Sequence, residues 1–134
     1  MYGVDLRMKN GLVTLLKSLS KIEGIDWMRL FYCYPTFINS ELIEYIASEE
    51  KVCNYVDVPL QHTHDFILKR MKRQETEKGV RSMINELRTK VPDIALRTTF
   101  ITGFPGETDE HFKHLLEFVR EIEFDHVGVF TYFH

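Results

Sequence analysis

Three short stretches of the 134-residue chain carry residue types that could do chemistry. The first is Gly103-Phe104-Pro105-Gly106-Glu107, where the apolar, β-prone run Arg97 to Thr102 breaks into a Gly-Pro-Gly turn and a helix start follows at Thr108. A strand that runs through a glycine-rich turn into a helix is how α/β proteins build ligand sites. No Lys followed by Ser or Thr completes a phosphate loop, and Glu107, Asp109 and Glu110 would repel a polyphosphate. The turn suits a neutral or cationic ligand, with Gly103 letting the backbone approach a flat group closely. The plainer alternative is a tight turn in which Glu107 serves as a first-turn helix charge.

The second stretch is Gln61-His62-Thr63-His64-Asp65, directly after Pro59-Leu60. Gln61 offers donors and acceptors that could read sugar hydroxyls. His62 and His64 could share a metal on a loop, but no cysteine or third histidine stands nearby, and loop polarity is the simpler account. The third is Tyr34-Pro35, where another aromatic run stops. Asp57 stands mid-strand between Val56 and Val58 and needs a partner if buried: it could bind a ligand, but structural pairing with a strand-lining arginine such as Arg97 or Arg29 is the reading preferred. The basic run Lys69-Arg70-Met71-Lys72-Arg73 reads as a solvated helix face that could also meet a carboxylate. Cys33 and Cys53 are too far apart for a zinc or cluster motif and no base is spaced to activate Cys33. They read as two buried thiols in a reducing cytoplasm.

Helices and strands must position these groups. Leu12, Leu15, Leu16, Leu19 and Ile22 fall at helix spacing, with Gly24 as a left-handed cap. Trp27 to Tyr32 is a strand, ended before Pro35. Asn39 or Ser40 caps a helix that buries Leu42, Ile43, Ile46 and Ala47. Tyr55 to Leu60 is the next strand, followed by a short helix with Phe66, Ile67, Leu68 and Met71. Thr76 caps a longer helix with Val80, Met83, Ile84 and Leu87 on one face, ending at Pro92. Ile94 to Thr102 is a strand, and Thr108 caps a helix lined by Phe112, Leu115, Leu116, Val119 and Ile122. His126 to Tyr132 is the last strand. Strict alternation implies parallel strands joined by right-handed crossovers, so the three chemical stretches should meet on one rim.

Composition is that of a globular chain, 44% hydrophobic and 28% charged, with a formal net charge of −3. That gives no basic footprint for an extended nucleic-acid surface. No apolar run is long enough to span a membrane, and the N-terminus has no signal-peptide character.

Taken together and in order, several words resemble the radical S-adenosylmethionine methylthiotransferases. They are Tyr2-Gly3-Val4-Asp5-Leu6, Trp27-Met28-Arg29-Leu30 with Tyr34-Pro35, Val58-Pro59-Leu60-Gln61-His62 and Ile67-Leu68-Lys69-Arg70-Met71. Arg97 through Thr108 and Gly128-Val129-Phe130-Thr131-Tyr132 continue the match. Pro59-Leu60-Gln61-His62 and Arg97-Thr98-Thr99 are similar to the branch that methylthiolates the β-carbon of an aspartate in a small-subunit ribosomal protein. The tRNA-modifying branch tends to carry Gln-Ser-Gly after the same strand.

The resemblance implies an α/β fold, a partial radical SAM (TIM-like) barrel with parallel strands alternating with helices. It implies S-adenosyl-L-methionine and two [4Fe-4S] clusters in the full-length parent, reductive cleavage to a 5′-deoxyadenosyl radical, and a reductant such as flavodoxin or ferredoxin. A cytoplasmic setting follows, and direct nucleic-acid binding by this segment is not expected. Residues 1–134 would be an incomplete barrel, from after the second strand through the sixth. The Cys-x3-Cys-x2-Cys cluster loop, the N-terminal methylthiotransferase domain and the C-terminal TRAM domain would lie outside it, leaving the segment inactive alone. Gln74 stands where the family usually has Gly, and Phe133 where it usually has Ser. The carry-over is limited to the cofactor side: Gln61, Thr99, Ile101, Gly103 and Phe130, with Phe100 and Tyr132 in the same adenine-side stretches and Arg97, like Thr99, facing the barrel interior. No catalytic residue and no iron ligand is assigned. The competing expectations are a tRNA-modifying relative and a non-catalytic α/β nucleoside-binding or orphan fragment.

Overall fold

The computed structural model describes residues 2–3 and 5–133. Met1, Val4 and His134 lie outside them, and with them the Val4 position of the first matching word. In chain order the elements are α1 (Gly11–Leu19), β1 (Met28–Leu30), α2 (Ser40–Ser48), β2 (Val52–Asp57), α3 (Asp65–Arg70), α4 (Glu77–Lys90), β3 (Ala95–Thr102), α5 (Asp109–Ile122) and β4 (His126–Thr131). A 3-10 turn, Pro35–Phe37, follows β1.

The strands form one parallel sheet in the order β1-β2-β3-β4. Asp57 aligns with Arg97, and β3 and β4 run in register from Arg97↔His126 to Thr102↔Thr131. Side chains alternate between faces. Leu96, Thr98 and Phe100 of β3 are buried, with Val56 of β2, in the core shared with α1, α2, α4 and α5. Arg97, Thr99 and Ile101 point the other way and are half-buried, and this opposite face is open. The arrangement is a parallel sheet with helices on one side, a section of a TIM-like barrel.

Local chemistry sets the helix starts. Asn39, Thr76 and Thr108 each accept a backbone N–H of the first turn, and Thr108 and His111 form a reciprocal capping box. The inner face of α4 is Val80, Met83, Ile84 and Leu87, as its spacing implies.

Several sequence expectations are corrected. α1 stops at Leu19, so Ile22 is exposed, and Gly24 is not in the left-handed region. Only Val13 and Leu16 of its apolar residues are fully buried. Ala47 is exposed. β2 starts at Val52, because that stretch has Met28 and Leu30 to pair with, and ends at Asp57 before Pro59, which has no N–H to give. On α5 the buried side chains are Leu115, Phe118 and Ile122, whereas Phe112 and Leu116 are exposed. Phe118 is drawn inward by Phe124, at 6.3 Å between ring centres. Cys33 and Cys53 are free and half-buried rather than buried.

Candidate functional site

The carboxyl ends of β1, β2 and β3 do meet on one rim. Gln61 extends β2 by bridging to β3: its N–H donates to Thr99 O at 2.8 Å and its carbonyl accepts Ile101 N–H at 2.8 Å. It does so in the left-handed region, φ 68°, an uncommon conformation for a residue with a Cβ. The kink leaves Gln61 at an open cleft of about 370 Å³, lined also by Ile101, Phe104, Tyr132, Met71 and Arg73. Among the described residues the Gln61 carboxamide makes no hydrogen bond, so its donors and acceptor are available.

Of the other expected residues, Ile101 lines that cleft, whereas Thr99, Gly103 and Phe130 are not among the residues that line it. Thr99 aligns with Gly128 and Ile101 with Phe130, all on the open face. Phe130 is 63% exposed. Gly103 has φ 74°, and a Cβ there would meet nothing within 4 Å, so the backbone borders open space. Arg97 lies lower on the face, where its Nη1 donates to Asp57 Oδ1 at 2.9 Å. Asp57 is fully buried and its Oδ2 also accepts Tyr32 N–H at 3.2 Å, so its role is structural pairing. Arg29 instead stacks on Tyr55, 4.8 Å from the ring centre. Phe100 is buried on the helix side and lies away from the cleft.

Sequence reasoning missed three parts. Phe104 packs edge-on against Tyr132, 5.2 Å between ring centres, so the glycine turn brings an aromatic wall with it. Arg70 Nε donates to Pro105 O at 2.9 Å, directly where a Gly106 Cβ would stand. Arg73 lies 4.4 Å from the Tyr34 ring centre, donates to Pro59 O at 3.0 Å and pairs with the buried Glu75. The basic run is therefore only partly a solvated face: two arginines bind the three loops together. Spacing could not show this, because backbone carbonyls are acceptors anywhere in a chain.

Glu107 is corrected too. It precedes the cap Thr108, is buried, accepts Phe104 N–H at 3.0 Å and faces His62, so it is not a first-turn helix charge. Its carboxylate turns inward, toward His62 and the Phe104 N–H, and the residues that line the cleft include the basic Arg70, Lys72 and Arg73. Asp109 and Glu110 remain in the first turn of α5, so the acidic helix start now rests on these two. The Cys33 thiol is pushed up to about 11 by burial and the nearby Asp57 charge, which leaves it a weak nucleophile.

The residues present fit a flat nucleoside: open aromatic and aliphatic side chains, an uncommitted carboxamide, and a glycine backbone beside open space. They do not fit an iron–sulfur cluster. Among the described residues no three His, Cys, Asp or Glu side chains group to hold a metal, and that includes His62 and His64. Among them also, no helix is long and apolar enough to cross a membrane.

A parallel sheet with helices on one face and a glycine turn at a strand's carboxyl end belong to the α/β barrel class of ligand-binding folds, and the chain belongs to the Radical SAM superfamily, whose family model matches residues 2–119. Among its relatives, the ribosomal protein uS12 methylthiotransferase RimO of Clostridium kluyveri is 54% identical over 98% of this chain. RimO of Christiangramia forsetii is 47% identical over 99%. The chain spans 29% and 30% of the lengths of these two curated relatives. A solved structure with the same fold is coproporphyrinogen III oxidase (HemN) from Escherichia coli, a radical SAM enzyme, with a TM-score of 0.70 and 21% identity over 92% of this chain and 27% of that chain.

Proposed function

We propose that this chain is the cofactor-side section of a ribosomal protein methylthiotransferase, with β1 to β4 as the third to sixth strands of its barrel. The parent would add a methylthio group to the β-carbon of an aspartate in a small-subunit ribosomal protein, in the cytoplasm, with electrons from a flavodoxin or ferredoxin. The 54% identity to a uS12 methylthiotransferase supports the protein substrate. The cluster loop, the N-terminal domain and the TRAM domain would be supplied by sequence outside residues 1–134.

One observation carries the cofactor reading: Gln61, left-handed and hydrogen-bonded into β3, brings an uncommitted carboxamide to the same cleft as Ile101. S-adenosylmethionine, when bound, supplies the hydrogen-abstracting chemistry. The chain's own residues bind and orient it. Gln61 reads ribose hydroxyls, Ile101 and Phe130 flank the adenine, Thr99 offers a hydroxyl to its edge, and the Gly103 backbone closes against it. The experiment is isothermal titration of the chain with S-adenosylmethionine and S-adenosylhomocysteine. Binding is expected, weakened about tenfold in Gln61→Ala and in Phe130→Ala, the loss of one hydrogen bond or ring contact. No heat at millimolar ligand, or unchanged affinity in both variants, overturns the reading.

A further inference from the structure

We infer that His62 is a positioning residue: through Glu107 it holds the Phe104–Glu107 turn in the shape that borders the cleft. The inference takes from the proposed function only that this turn lies against the ligand.

His62 is fully buried, though its neighbour Gln61 stands at the cleft. Its Nδ1 accepts the His64 N–H at 3.0 Å. An imidazole nitrogen that accepts carries no proton, so in the neutral ring the proton is on Nε2. His62 is held neutral, its pKa lowered to about 4 by burial first and then by the neighbouring His64, His114 and His111. The Nε2–H faces Glu107 Oε1 at 3.7 Å, and both atoms are buried without a hydrogen-bond partner. A donor and an acceptor thus face each other across a gap about 0.7 Å longer than a hydrogen bond. Each is left unsatisfied unless it turns to the other, and leaving a buried polar atom unpaired is unfavourable.

Glu107 is the closure of the turn. Its Oε2 accepts Phe104 N–H at 3.0 Å, and its own N–H donates to Phe104 O at 2.8 Å. Within that closure lies Gly106, at φ 91°. Arg70 braces the turn from outside through Pro105 O. His62 is the corresponding inner brace, and it joins the loop after β2 to the loop after β3. The ring's two nitrogens do separate jobs: Nδ1 shapes its own loop, and Nε2 reaches the neighbouring one.

Two substitutions separate these jobs. The Gln amide nitrogen can replace the Nε2 donor, and the Asn oxygen can replace the Nδ1 acceptor. Amide hydrogen exchange of the full chain is the readout, with Phe104 N–H as reporter and the α4 amides of Ile84 and Leu87 as reference. The expected result is exchange at Phe104 about tenfold faster in His62→Asn and close to wild type in His62→Gln, with α4 unchanged in both. In wild type, 15N shifts should show His62 as the Nε2–H tautomer, and Glu107→Gln should perturb that signal. The reverse order of the two variants, no effect in either, acceleration that extends equally to α4, or an Nδ1–H tautomer would each overturn the inference. None of these readouts needs a ligand. Failure of the wild-type chain to bind S-adenosylhomocysteine would count against the proposed function and leave the His62 result to stand or fall alone.

Discussion

At the scale of single residues, the pair Asp57–Arg97 shows how burial decides an ion pair's worth. Asp57 is fully buried, while the Arg97 side chain keeps 36% of its surface exposed. Removing the arginine strands a carboxylate with only the Tyr32 N–H; removing the carboxylate lets the guanidinium turn to water. Breaking a buried pair from one side costs about 3–5 kcal/mol, so Arg97→Met should fall in that range and Asp57→Asn below it. The double variant should be more stable than the sum of the singles implies, by urea denaturation; strict additivity would contradict the pairing. This pair was legible in the sequence, because a carboxylate among strand valines needs a partner and β3 offers one. The His62–Glu107 contact was not. Its members lie in two loops, no period connects them, and Glu107 beside Thr108 looked like a helix charge.

At the scale of elements, the N-caps were read well, the Gly24 cap and the buried faces less so. Asn39, Thr76 and Thr108 act through their nearest backbone, so three or four residues suffice to identify them. Loss of the Thr108 hydroxyl removes half of a reciprocal box. Thr108→Ala should therefore lower stability by about 1 kcal/mol in thermal unfolding, while Thr108→Ser stays near wild type; equal stability of all three would remove the box from the account. Faces depend on what lies opposite. α4 packs on α2 and sets Met83, Ile84 and Leu87 beside Leu96 of β3, and its periodicity predicted every buried residue. α5 has an apolar set wider than its buried face, and only contact with Phe124 and Arg81 shows that Phe118 goes inward. Val127 and Val129 share a sheet face with Thr98 and Phe100, yet both are exposed. The strand boundaries shifted for a related reason. β2 begins where a neighbour is available to pair, three residues before its apolar run suggested.

At the scale of the whole molecule, four histidines gather where the β2 and β3 loops meet α5, and two of them, His62 and His64, make stability depend on pH. His64 lies 4.3 Å from His111 and 5.1 Å from His114 between ring centres. The pKa of His62 is lowered from 6.5 to about 4, and that of His64 is lowered too, by burial and by the other rings. A histidine with a lowered folded-state pKa gives stability that is complete above 6.5 and is lost as pH falls toward its folded value, because in between the unfolded chain takes up a proton that the folded chain refuses. His62 alone contributes a slope of at most about 1.4 kcal/mol per pH unit in that window. The carboxylates of Asp65 and Glu77 pull the other way on His64, favouring its charged form, but do not outweigh burial and the neighbouring rings. The lowered pKa of Glu77 begins from 4.5, so its own loss of stability starts only near the acid end of the histidine window. Between 6.5 and 4.5 the histidines therefore dominate. The urea midpoint of the wild-type chain should fall steadily across that interval, and His62→Gln, which cannot titrate, should flatten the profile. A wild-type midpoint that is level over the same range would show that His62 takes up its proton as readily in the folded chain as in the unfolded one, against its burial as a neutral ring.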